Sequence, residues 1–125
     1  MEETAREPIR HYRDLEVYQR SMRLLIPVHR LIHKFPHFEQ AELGSQLRHA
    51  SKSIPLNIAE GYGKKRSARD FRSSLDRAMR SASEVVVCLE TPRLLEYAPD
   101  AGYQELIDEY EVFGRQLNRL AQRWQ

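Results

Sequence analysis

The chain is poor in cysteine and glycine, with one and five among its 125 residues, and has no long apolar run. A lone Cys88 cannot close an internal disulfide, so the fold must be held by packing. The lack of some 20 consecutive apolar residues excludes a membrane-spanning helix, and no membrane partner is expected. The opening "MEETAREPIR" is polar and lacks the apolar core of a secretory signal, which predicts a cytoplasmic location. Sparse glycine, with 41% hydrophobic and 30% charged residues, argues against disorder. No stretch alternates with period two for long enough to suggest a sheet, and no repeat or low-complexity tract marks a second domain. Residues 1–12 read as a flexible arm and 13–125 as one domain.

What remains is helical spacing. Segment one carries two adjacent stripes: Leu15, Tyr18, Met22, Leu25, His29 and Ile32, and Val17, Ser21, Leu24, Val28, Leu31 and Phe35. Steps of three and four put each set on one face, and together they predict a broad buried side. Pro27 deletes one helical hydrogen bond and predicts a bend. Segment two runs from about Phe38 to Gly61 with Leu43, Leu47, Ala50, Ile54 and Ile58 inward. Gly61 or Gly63 is expected to supply a left-handed stop. Segment three opens at "SARD", close to a capping box, with the stripe Phe71, Leu75, Ala78, Ala82, Val85 and Leu89. Pro92 either bends this helix or starts a short new turn. Segment four reads Tyr103, Leu106, Tyr110, Phe113, Leu117, Leu120 and Trp124. Four amphipathic helices with short connections predict an all-α, antiparallel up-down-up-down four-helix bundle.

The stretch "SIPLNIAEGYGKKRS" breaks the plain pattern. Ser53, Asn57 and Glu60 share one side of segment two with Gln46, and Arg77, Ser81, Glu84 and Cys88 form a comparable stripe on segment three. Pro55 leaves the carbonyl of Ser51 without its helical donor, a vacancy for water or for the Asn57 amide. Glu60 and Glu84 would each need a cation if buried, and Arg48 is a candidate. Two readings stand: a solvated rim, or a structural polar network of Arg48, Ser53, Asn57, Glu60 and Glu84 that sets helix register.

Catalytic and cofactor chemistry finds little support. His29 and His33 have a spacing that can hold zinc, but no cysteine or carboxylate nearby completes the set, so no metal is expected. "GYGKKRS" lacks phosphate-loop spacing and follows a helix rather than a strand. Cys88 lies in the buried-looking "VVVCLE", and no helix carries a Glu-x-x-His pair of the di-iron type. A non-enzymatic protein without a cofactor is the expectation.

Charge is nearly balanced overall but unevenly placed. Between Tyr62 and Arg80 lie seven basic residues, Lys64, Lys65, Arg66, Arg69, Arg72, Arg77 and Arg80, against Asp70 and Asp76. Between Glu96 and Glu111 lie six acidic residues and no basic one. Arg115, Arg119 and Arg123 form a further row on segment four. Lys64, Lys65, Arg66, Arg69 and Arg72, with this row as a second set, are the candidate contacts to RNA or DNA phosphates. The bland reading is a solvated loop, with the charges serving subunit contacts and solubility.

"SQLRHASKSIPLNIAEGYGKKRS", "DLEVYQRSMRLL", the "FP" at Phe35–Pro36 and "DFRSSLDRAMRSASEV" carry a resemblance over about residues 13 to 120. The chain resembles the four-helix-bundle proteins encoded in intervening sequences of bacterial 23S ribosomal RNA genes. That superfamily includes the accessory protein of diversity-generating retroelements. The resemblance implies a ring-like homopentamer. From the retroelement branch it implies association with nucleic acid and a reverse transcriptase as a partner. The chain departs from the pattern at His49, where a second arginine is usual, at Ser51 and Lys52, and at Arg80, where a small residue is usual.

Overall fold

The computed structural model describes residues 8–99 and 102–124. Four long helices carry it: α1 (Glu16–Ile32), α2 (Ser45–Tyr62), α3 (Ala68–Leu94) and α4 (Tyr103–Arg123). No strand occurs among the described residues. Each helix packs on the next, and α4 returns to α1, so the four enclose one core. Phe71, Leu75, Leu89, Phe113 and Leu117 are its fully buried centre. Each such side chain contributes roughly 1.5–3 kcal/mol by leaving water.

Pairs across the seams show how the helices run. Ser53 meets Ser81, Asn57 meets Arg77, and Gly61 faces Ser74, so steps down α2 are steps up α3. Arg93 bonds Gln104 at one end of the α3–α4 seam, and Arg72 bonds the Trp124 carbonyl at the other. Both seams are antiparallel.

On α1 only one of the two stripes is fully buried. Val17, Ser21, Leu24, Val28, Leu31 and Phe35 face the core. In the other, Tyr18, Leu25 and His29 are half-buried and Met22 is 42% exposed. The buried side is therefore narrower than the spacing predicts, because among the described residues α1 packs chiefly against α2 and α4. Pro27 is exposed within α1, which runs on through it.

Between α1 and α2 the chain makes one α-helical turn, His37–Glu39, and a π-helical turn, Gln40–Gly44. The Gln40 amide donates to the carbonyls of Ile32 (2.7 Å) and Phe35 (3.1 Å), satisfying acceptors at the end of α1. No left-handed glycine ends α2. Gly63 has φ −63°, and Gly61 is helical. The only glycine among the described residues with positive φ is Gly102, at 77°, just before α4. Gly61 serves the seam instead: a Cβ there would lie 2.5 Å from Ser74 Cβ and 3.0 Å from Phe71 Cδ1. Pro92 starts no new turn, since α3 continues through it to Leu94. The bend back to α4 places Glu96 and Ala98 at φ 62° and 51°.

Candidate nucleic-acid interface

The close approach at Gly61 brings α2 and α3 together where they join, so residues 63–67 make a tight hairpin. Ser67 caps α3, its hydroxyl accepting from the Asp70 amide at 3.1 Å. Lys64, Lys65, Arg66 and Arg69 project from this hairpin and are exposed. The Lys65 ammonium stands 4.3 Å from the centre of the Tyr62 ring, a cation–π contact that restricts its stem. Tyr62 is buried edge-on against Phe71 and anchors the cation from below.

Arg72 is placed differently from its neighbours. It is half-buried and donates to the Trp124 carbonyl at 2.8 Å, tying the end of α4 to the start of α3. Trp124 packs edge-to-face on Phe71, with centroids 4.5 Å apart. Arg72 is therefore a strut, although a guanidinium keeps further donors for a phosphate. Arg115, Arg119 and Arg123 are all exposed, but they do not form one patch. Arg123 stands at the hairpin end, whereas Arg115, about 12 Å along the axis, lines a groove between α3 and α4.

Two cations at this end were not among the expected contacts. Arg10 and Arg13 are exposed beside the 3₁₀ turn Tyr12–Asp14, which lies against α2. The expected arm over 1–12 lies outside the described residues as far as residue 7. From Arg10 onward the backbone is held: the Asp14 carboxylate accepts from the amides of Arg10 (2.9 Å) and His11 (3.0 Å). The Arg10 amide is the main cause that pulls the Asp14 carboxyl below its ordinary range. Only the charges themselves signalled these two residues, and a stretch without apolar spacing gave them no position.

The polar residues of the α2–α3 seam divide into two groups. Ser53 Oγ lies 2.6 Å from Ser81 Oγ and donates to the Ala50 carbonyl at 2.9 Å. Asn57 Oδ1 accepts from Arg77 Nε at 3.2 Å, and Arg77 also donates to Ser74 Oγ at 3.0 Å. The Asn57 amide goes to the Ser53 carbonyl (2.8 Å), not to the Ser51 carbonyl that Pro55 frees. Arg48, Glu60 and Glu84 stand apart from this chain of bonds. Arg48 donates to the Gln40 carbonyl at 3.0 Å, bracing the π turn, while Glu60 and Glu84 are exposed and need no buried cation. The cation of the network is Arg77, not Arg48.

The far end carries more carboxylates, beside exposed Lys34 and Arg93. Glu39 accepts from the Tyr97 hydroxyl at 3.0 Å, and Glu42, Glu90, Glu96 and Glu105 are exposed around it. Phe38, Leu94 and Leu95 are exposed there as well. Of the two histidines at zinc spacing, His29 hydrogen-bonds the Leu25 carbonyl at 2.8 Å and His33 is exposed. No three His, Cys, Asp or Glu side chains converge on a metal-sized site among the described residues. Cys88 is buried, and burial, with nearby Glu84, pushes its thiol above the ordinary range. No described helix is long and apolar enough to cross a membrane.

Fold and site together define a helical-bundle protein with a cationic hairpin at one end and a mixed-charge, partly apolar opposite end. The family model of the 23S rRNA-intervening sequence protein matches residues 13–119, and the chain belongs to that family. It matches no protein of curated function.

Proposed function

We propose that the protein is a non-enzymatic, homo-oligomeric accessory protein that binds the phosphates of RNA or DNA through its hairpin end. The observation that carries this reading is convergence. Lys64, Lys65, Arg66 and Arg69 come from the hairpin, Arg123 from the end of α4, and Arg10 and Arg13 from the start of the described chain. Segments distant in sequence thus deliver exposed cations to one end, while the other is mixed, with exposed Glu42, Glu90, Glu96 and Glu105 beside Lys34 and Arg93. Exposed lysines and arginines displace condensed counterions from a phosphate chain, so affinity depends steeply on salt. Tyr62 is buried under Lys65, and no free aromatic ring accompanies the cations in the hairpin. Binding is therefore sequence-tolerant.

Fluorescence anisotropy with a structured RNA and with duplex DNA tests this at low and physiological salt. Replacing Lys64, Lys65 and Arg66 by alanine weakens binding to every sequence alike and lowers the log–log salt slope by about 2–3. Wild-type protein that binds neither nucleic acid at low salt would overturn the proposal.

A second reading has its own observation. Phe38, Leu94 and Leu95 are 71%, 81% and 51% exposed at the far end. Such an apolar surface suits a protein-interaction scaffold, with a reverse transcriptase as the partner the family resemblance suggests. Retention of a protein partner by the hairpin triple variant, without nucleic-acid binding by wild type, would favour it.

A further inference from the structure

A cavity of about 410 Å³ opens at the hairpin end, between the start of the described chain and the end of α4. That volume falls within the usual range of small-molecule sites. Ile9, Leu120 and Trp124 give it apolar walls, and exposed Arg123 stands with them. Trp124 is held from two sides. Its ring packs edge-to-face on Phe71 with centroids 4.5 Å apart, and its carbonyl accepts from Arg72 at 2.8 Å. The half-buried indole is therefore a fixed aromatic surface.

Two side-chain amides in the lining are oriented by their partners. Gln19 Nε2 donates to the Arg13 carbonyl at 2.8 Å, so its side-chain oxygen remains to accept. Gln116 Oε1 accepts from Arg20 at 3.1 Å, so its side-chain nitrogen remains to donate. Asp14 and Glu16 line the cavity as well. Their carboxylates disfavour a phosphate inside it, whereas Arg123, with Arg10 and Arg13 next to Ile9 and Asp14 in the chain, favours one outside. An apolar, aromatic hollow with one donor and one acceptor suits a flat, neutral heterocycle.

We propose that this cavity receives one unpaired base of a single-stranded nucleic acid. The proposal deepens the phosphate-binding reading and rests on it. Trp124 and the apolar walls take the face of the base, and the two amides take its edge. Each of the four bases carries both a donor and an acceptor on its Watson–Crick edge, so the amide pair detects an unpaired base without choosing among the four. A base in a duplex has that edge occupied and must first be unpaired and unstacked. The place of the cavity fits a strand that also reaches the hairpin. The rings of Trp124, Phe71 and Tyr62 follow one another at 4.5 and 6.3 Å, and Lys65 stands 4.3 Å over the last. A strand with one base in the cavity carries its next phosphates past Arg72 to the hairpin cations.

Trp124 is the chain's single tryptophan, so its emission reports on the cavity directly. The test compares a short unstructured RNA strand with the blunt duplex it forms with its complement, at low salt, by Trp124 emission and by anisotropy of a labelled strand. Wild type should bind the single strand about tenfold more tightly than the duplex, and only the single strand should quench the emission. Gln19→Leu combined with Ile9→Ala removes the acceptor and part of the wall. Both positions are exposed, so thermal melts should match wild type. The double variant should bind the two forms equally, without quenching, at the wild-type affinity for duplex. Replacing Lys64, Lys65 and Arg66 by alanine should weaken both forms alike and keep the quenching at saturation. Equal affinity for the two forms in wild type, equal quenching by duplex, or a double variant that keeps the preference would each overturn the proposal and leave phosphate binding in place. Failure of wild type to bind either form would end both.

Discussion

Gly61 and Gly114 both stand inside long helices and have opposite surroundings. At Gly61 a Cβ would meet Ser74 Cβ at 2.5 Å, so the α2–α3 seam closes on the hydrogen atom. At Gly114 a Cβ would meet nothing within 4 Å, and the α3–α4 seam opens into a groove. The first seam has its polar groups bonded across it through Ser53, Ser81, Asn57 and Arg77, and the second leaves the Tyr110 hydroxyl unpaired. One seam is closed by contact within the protomer, whereas the other stays open. A mid-helix glycine costs about 1 kcal/mol relative to alanine in either place. Close packing offsets that cost at Gly61, and nothing within the protomer offsets it at Gly114.

The largest effect is expected where the comparison is tightest. Gly61→Val forces two helices apart, because Ser74 Cβ cannot rotate away. It should destabilise by about 2–4 kcal/mol or prevent folding, as read by chemical denaturation. Gly61→Ala should cost less, and Ser74→Gly in the same chain should recover part of the loss in a double-mutant cycle. No coupling between the two sites would show that the seam has slack.

Asn57→Leu comes next. It strips Arg77 Nε of its acceptor in a half-buried position and should cost about 1–3 kcal/mol. Glu60→Leu tests the other side of the original expectation: Glu60 is exposed, so its loss should stay within about 0.5 kcal/mol. Equal melting temperatures for the two variants would dissolve the distinction between network and rim.

The smallest effect should be a gain. Gly114→Ala adds helix propensity without a clash and should stabilise by up to about 1 kcal/mol. A loss there would mean that the groove is narrower than its geometry indicates.

Much of the fold was legible because apolar spacing fixes the angular position of each residue on its own helix. Leu47, Ala50, Ile54 and Ile58 fell inward as the spacing requires. Spacing does not say how wide a sector the neighbours cover, which is why Met22 was expected inside and lies outside. Nor does it reveal distances between helices. Gly61 therefore resembled a stop signal, although its role is set by Ser74 on another helix. The polar stripes of α2 and α3 were visible separately, but only their antiparallel register chose Arg77 over Arg48 as the cation facing Asn57. The π turn at Gln40–Gly44 has no local signature comparable to a cap or a proline. Among the candidate phosphate contacts, the exposed hairpin lysines were readable from charge alone. The diversion of Arg72 to the Trp124 carbonyl was not, because its partner lies 52 residues away.

The antiparallel course of the helices also decides where the molecule can be handled. Pro8 and Trp124, the outer limits of the described chain, lie toward the hairpin end with Lys64 and Arg66. A reporter attached at Ile9 or Trp124, which line one cavity with Arg123, would crowd the very cations whose behaviour is to be measured. The loop at 95–99, more than the length of a helix away, gives an attachment point with the opposite geometry. A dye placed there leaves the hairpin unobstructed.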